Sequence, residues 1–449
     1  MDNAIRATAK TAATAAPTAA RAPTVKPYNL GRWVVWGGYA LVMLAAPLLW
    51  KSSLSLTMLS QMGIAIIACL AFNMLLGQGG MLSFGHAVYS GLGSFFAIHA
   101  LNMASKGQIV LPVSLVPLVA GGFGALFAVL LGYVTTKKAG TPFAMITLGV
   151  GELVAAMALM FPGFFGGEGG ITGNRVQGQP FLGITFGPQI QLYYLIAIYT
   201  FISTALMFAF TRTPLGRMLN AVRDNPERVE FIGYNTQFVR YFAFIASGFF
   251  MGIAGGLAAL NFEIVTAEVV GATRSGAYLL FTFLGGAVFF FGPIIGAVLL
   301  VLALVLLSEL TQAWLLYLGL VFTFMVMYAP GGLSSLIMMN LRVASFGKLR
   351  PLIGSYLALA GTAATVLLGA AVMIEMVYHL QLNEALGPVM KFMGASLNAK
   401  GFDTWFGACF VMLVGLAMFE MARRQFVKEW SRTQEEIESV IKQREAAAS

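Results

Sequence analysis

Charge is scarce in this chain. Asp, Glu, Lys and Arg make up 10% of its 449 residues, where a soluble domain carries roughly 25%. That excludes a chain of two or three soluble domains. Cysteine is rarer still. Only Cys69 and Cys409 occur, each within an apolar run, so neither a disulfide framework nor metal-ligand spacing is available. The three histidines, His86, His99 and His379, are scattered. No GxSxG, HExxH or CxxC is present, so there are no candidate catalytic residues and no metal site. The phosphate-binding loop G-x-x-x-x-G-K-[ST] is missing too, because Gly80 to Gly85 is followed by His86 and not by lysine. The chain therefore binds no cofactor of its own and hydrolyses no nucleotide by that route. Any energy it uses must come from an ion gradient or another subunit. Net charge is +9, but the basic residues flank apolar runs and form no stripe, which argues against a nucleic-acid partner.

What is abundant is apolar sequence, 58% of the chain, with a mean hydropathy of +0.81. The fold class is an all-α polytopic membrane protein. A span needs about 20 mostly apolar residues, which predicts twelve crossings: 33–50, 54–76, 81–103, 111–134, 141–161, 190–210, 240–260, 276–291, 293–310, 313–330, 353–379 and 404–422. Alternating the intervening segments puts 21 of the 27 Lys and Arg on one side and 6 on the other. By the positive-inside rule the rich side is cytosolic, and both termini lie on it. One missed crossing in mid-chain would destroy that split. Residues 1–32 form an Ala/Thr/Pro-rich arm expected to be disordered. Residues 33–341 make a core of ten crossings. Residues 342–449 add two spans and a charged tail, whose Phe426, Trp430, Ile437 and Ile441 predict an amphipathic helix at the membrane surface or a dock for a cytosolic subunit.

The charged interlude 211–240, TRTPLGRMLNAVRDNPERVEFIGYNTQFVR, carries five arginines and three acids. Charges this dense lie in water or against another protein, not in hydrocarbon. Thr213 caps a helix with Pro214 in its first turn. Asp224-Asn225-Pro226 breaks it and starts a second, ended by Gly233. The candidate docking residues are Arg217, Arg223, Asp224, Asn225, Pro226, Glu227 and Arg228, for a protein partner or for membrane lipid.

Glycine supplies the other signals. Gly248, Gly252 and Gly256 are two overlapping GxxxG steps, expected to pack helices closely. GQGGMLSFGHAVYSGLGS (77–94) and SGAYLLFTFLGG (275–286) interrupt apolar segments in the two halves of the core. Broken helices in matching positions point to a transport path, or else the glycines only permit tight crossings. On the first reading Ser83, Gly85, His86 and Ser275 line the path. Thr147 and Glu152 join them from segment 141–161, since an ionisable residue within a span needs a protein or aqueous partner.

Five stretches in order resemble the branched-chain amino acid ABC importer permeases, on the LivM side of that family's LivH/LivM pair. They are GQGGMLSFGHAVYSGLGSFFA, GGEGGITG, LGRMLNAVRDNPERVEFIGYN with FAFIASGFFMGIAGGLAA, LGGAVFFFGPIIGA, and LVFTFMVMYAPGGL. The resemblance covers about 33–341. It implies a bacterial inner-membrane permease that imports branched-chain amino acids. It further implies a second, LivH-like permease subunit, two ABC ATPase subunits that use the ATP, and a periplasmic solute-binding protein. It assigns Arg217 to Arg228 to the ATPase contact, and Ser83, Gly85 and His86 to the pathway segment. Urea and amide importers share most of these signatures, so the solute stays open. The rival of another class is a self-sufficient ion-coupled carrier or channel. The extension 342–449 has no counterpart in the resemblance.

Overall fold

The computed structural model describes residues 30–177, 185–382, 387–392 and 394–448. Most of the N-terminal arm, residues 1–29, lies outside the described residues. All twelve apolar segments form helix. Among the described residues eight helices are long and apolar enough to cross a membrane, or nine if one bent pair is a single span. In chain order the helices are α1 (Leu30–Leu49), α2 (Ser53–Gly79), α3 (Ala87–Ser105), α4 (Val116–Thr135), α5 (Thr141–Met160), α6 (Gln189–Arg212), α7 (Pro214–Asp224), α8 (Pro226–Phe231) and α9 (Thr236–Phe262). After them come α10 (Ala272–Gly285), α11 (Gly292–Leu302), α12 (Trp314–Tyr328), α13 (Gly332–Ser345), α14 (Leu349–Leu382) and α15 (Phe402–Ala448). The bent pair is α12 and α13, 50° apart. From α11 the chain continues through a π-helical stretch, Ala303–Leu307, to Leu310. α1 forms a unit of its own, with Pro47 in its last turn.

Segment 81–103 yields only the 19-residue α3, and segment 276–291 a 14-residue α10. The glycines account for both. Gly80 ends α2 in the left-handed region (φ 63°), with its N–H bonded to the Leu76 carbonyl and that of Met81 to Leu75, a C-terminal motif that glycine favours. Gly286 (φ 106°) ends α10 in the same half of conformational space.

Two helices sit at the centre. α2 and α9 each have 78% of their apolar window buried, against 6% for α14 and 11% for α15. A helix apolar all round belongs in the interior. α9 lies along α4 through its glycines: a Cβ on Gly252 would meet the Cα of Gly121 at 2.9 Å, and one on Gly256 the Cα of Pro117 at 2.9 Å. Small residues here replace the hydrophobic drive that lipid does not provide. On its other side Gly255 abuts the Ser90 carbonyl.

The glycine-rich loop after α5 is tied down at three points. Strand β1 (Ile171–Thr172) pairs antiparallel with β2 (Ile264–Val265), just past α9. His99 Nε2 donates to the Phe164 carbonyl at 2.8 Å, and Asn102 donates to that of Thr172 at 3.0 Å. Arg175 reaches the carbonyls of Phe186, Leu260 and Gly187, while its N–H donates to Glu263 Oε1 at 2.8 Å.

In the extension, α14 and α15 pack antiparallel, beside the hairpin β3 (Val389–Phe392) and β4 (Ala395–Asn398). α15 is 47 residues long, about 70 Å at 1.5 Å per residue. The tail is therefore the unbroken continuation of a span. Its apolar stripe does not lie free for a membrane surface. Ile437 is buried with Val343 and Leu352, Trp430 packs on the same cluster, and Phe426 packs on Tyr356. Lys348 pairs with Glu436 at 2.7 Å.

Candidate functional site

The break between α2 and α3 draws in side chains from three other helices. Residues 80–86 leave backbone groups without helical partners, and such groups must be satisfied inside a membrane. Thr147 of α5 accepts from the Phe84 N–H at 3.2 Å. Ser275 of α10 accepts from the Ala87 N–H at 2.9 Å, capping the first turn of α3. His86 Nε2 and the Ser247 hydroxyl of α9 are 2.8 Å apart, and that hydroxyl donates to the Ala71 carbonyl of α2 at 2.6 Å. The imidazole lies among the rings of Phe72, Tyr89 and Phe244. Gly85 packs so closely on the Thr147 carbonyl and Gly151 that a side chain there would overlap them.

Of the six sequence-predicted path residues, five gather here: Ser83, Gly85, His86, Thr147 and Ser275, all buried. Thr147 and Ser275 bond to the backbone freed by the break. The Ser83 hydroxyl and His86 Nδ1 are buried with no hydrogen-bond partner, as is Asn73 Oδ1 on α2. Glu152 stands apart. It is exposed on α5 between Gly149 and Ala156, both exposed as well. Ser247 is the residue the sequence reading missed, since a serine 161 positions from His86 carries no local signal of that pairing.

The charged interlude folds as its punctuation predicts. Thr213 Oγ1 accepts from the Gly216 N–H and Asn225 Oδ1 from that of Arg228, each capping the helix that follows. α7 and α8 are fastened to the core just where α2 ends. Arg223 Nη1 donates to the Gly77 carbonyl and its Nε to Asp224 Oδ1. Asn220 donates to Gln78 Oε1 at 2.9 Å. Leu219 is buried in the core, and a Cβ on Gly79 would meet its side chain at 3.2 Å. The opposite face is open: Arg217, Asp224, Pro226, Glu227 and Arg228 are exposed. Beside them stand Phe231 (90% exposed), Ile232 and Tyr234. These three were not singled out in the sequence because they continue the apolar spacing of the segment. Their exposure shows that they face away from the core.

A membrane body with a broken central helix and a capped helix pair clamped to that break has the architecture of a multi-pass permease. The chain belongs to the family of branched-chain amino acid transport system permease components, whose family model matches residues 54–330. These are permease components of ABC transporters, and the similarities indicate no enzyme family. Two relatives are the high-affinity branched-chain amino acid transport system permease proteins LivM of Escherichia coli K12 and Salmonella typhimurium LT2. The first is 28% identical over 298 residues, 60% of this chain and 67% of that protein. The second is 28% identical over 310 residues, 63% and 70% respectively. No solved structure matches the chain.

Proposed function

We propose that this chain is the translocation subunit of an importer that brings branched-chain amino acids from the periplasm to the cytosol across the bacterial inner membrane. Separate ATPase subunits drive it. One observation carries this reading: α7 is bonded to the last turn of α2 through Arg223 to Gly77 and Asn220 to Gln78, immediately before the break that holds Ser83 and His86. A partner that grips the exposed face from Arg217 to Tyr234 pulls on the end of α2, and so on the path segment itself. ATPase states that bind this face with different affinity are what shift the permease between open states, because a ligand moves an equilibrium only by its differential affinity.

Twelve crossings with both termini cytosolic put α7 and α8 on the ATPase side. The partners are two ATPase subunits there, a second permease beside the chain, and a solute-binding protein at the loop held by Arg175 and β1–β2. Glu152 belongs on the face toward the second permease or the path between the two, since an exposed carboxylate flanked by small residues within a span does not suit lipid. The N-terminal end of α3, with Ser83 and His86 before it, suits the carboxylate of an amino acid, because helix N-termini attract negative charge. Urea or small amides, which lack that charge, fit this end less well.

Replacing Asp224, Asn225 and Pro226 together with Gly, Ser and Gly tests the linkage in the assembled transporter. The expected result is ATP hydrolysis that continues while uptake of labelled leucine falls to background, with unchanged membrane insertion. Normal uptake in that variant contradicts the reading.

A further inference from the structure

Where the end of the family match meets the C-terminal extension, one cleft brings opposite charges together. It has a volume of about 810 Å³ and lies where the corner between α11 and α12 meets α14 and the β3–β4 hairpin. Glu375, His379 and Lys391 line it together with Thr311, Tyr317 and Tyr378. Glu375 sits two turns before the end of α14, and a carboxylate in an apolar helix normally turns outward to water. Here it is held inward. The Thr311 hydroxyl donates to its Oε1, and so does the Tyr317 hydroxyl, at 3.2 Å.

Both donors use the same oxygen, and Oε2 has no hydrogen-bond partner among the described residues. His379 Nε2 donates to the Gly387 carbonyl at 2.9 Å. A carbonyl only accepts, so Nδ1 of the neutral ring is an acceptor. Lys391, also in the lining, brings up to three donors and has no acidic partner among the described residues. The rest of the lining is largely apolar, with Leu310, Met390 and Phe392. A concave site with apolar walls and a few convergent polar groups is how small-molecule sites are built. The π-helical stretch Ala303–Leu307 leads straight into the corner, and such stretches recur at functional sites.

We propose that this cleft binds a zwitterion: a primary ammonium received by Glu375 and His379, and an anionic group received by Lys391. Two sources share that chemistry, a free apolar α-amino acid and the headgroup of an ethanolamine phospholipid. The site is distinct from the α2–α3 break and takes its charged groups from the extension, so we assign it a regulatory or anchoring role and not a step of the path. In the orientation proposed above it opens on the periplasmic side.

Purified full-length chain is tested in two arms. Labelled L-leucine binding is measured in detergent. Lipid retention is measured by native mass spectrometry after reconstitution with phosphatidylethanolamine and phosphatidylglycerol. The expected result is retention of leucine, or of phosphatidylethanolamine over phosphatidylglycerol, weakened at least tenfold by both Glu375→Gln and Lys391→Ala and kept by Lys391→Arg. Thermal unfolding of each variant confirms that it is folded. Leucine as the lost ligand assigns a free amino acid, and the ethanolamine lipid assigns a headgroup. Retention of neither, or retention unchanged in both variants, overturns the site. Failure of the importer reading would show instead as absent uptake, which this binding assay does not measure.

Discussion

At the scale of single residues, the break depends on a few hydroxyls standing in for helix. Ser247 serves two partners, His86 and the Ala71 carbonyl. Ser247→Ala leaves His86 Nε2 unpaired in the interior, while the Ala71 carbonyl keeps its helical N–H partner, at a cost of about 1–3 kcal/mol, read as a lower unfolding temperature of the solubilised protein. Ser275→Ala exposes only the Ala87 N–H and should cost about 1 kcal/mol, the ordinary loss of a helix cap. A larger effect from Ser275→Ala than from Ser247→Ala would mean that the His86 pairing is not a structural bond. The sequence pointed to Ser83, His86 and Ser275 because they stand at glycine breaks. Ser247 sits inside an uninterrupted apolar helix, where a serine can equally bond back to its own helix, and only the crossing of α9 over α2 reveals its partner.

At the scale of elements, capping and glycine placement were legible and continuity was not. Thr213, Asn225 and Gly80 mark ends because each satisfies a terminal backbone group that a core residue cannot. The sequence did not reveal that α15 runs unbroken through Arg423. The change there is from apolar to charged, with no proline or glycine to stop a helix, and hydrophobic periodicity alone cannot separate a span from its own extension. Nor could it show that the stripe of Phe426, Trp430 and Ile437 finds its partner in Tyr356 and Leu352. On the proposed coupling role of α7 and α8, the exposed apolar trio beside them gives a prediction at this level. Phe231→Ala should weaken the complex with the ATPase subunit about tenfold, equivalent to ~1.4 kcal/mol, while leaving the unfolding temperature of the permease alone unchanged. An unaltered complex would place the contact elsewhere on α7 and α8.

At the scale of the whole molecule, the chain divides by burial. The centre built on α2 and α9 is glycine-packed and deeply enclosed. The α14–α15 pair is mostly exposed and packs chiefly on itself, and the family match ends at residue 330, before it begins. Deleting residues 351–449 should therefore leave a core that still inserts, judged by its recovery in the membrane fraction. Loss of insertion would show that the extension is part of the core's folding unit. The all-helical, polytopic character could be read from composition, because it needs only length and apolar character. That α7 is fastened at the break while Glu152 stands apart from it could not, because helix order in space is set by packing.

The account makes the chain a gate moved from outside, fastened to its mover through α7. Reconstituting the purified chain in vesicles with labelled leucine tests this most directly. The account predicts no accumulation under a proton or sodium gradient by the chain alone. It predicts accumulation only when ATPase subunits, the second permease, the solute-binding protein and ATP are supplied. Concentrative uptake by the chain alone, driven by an ion gradient with no nucleotide-hydrolysing partner present, would contradict it.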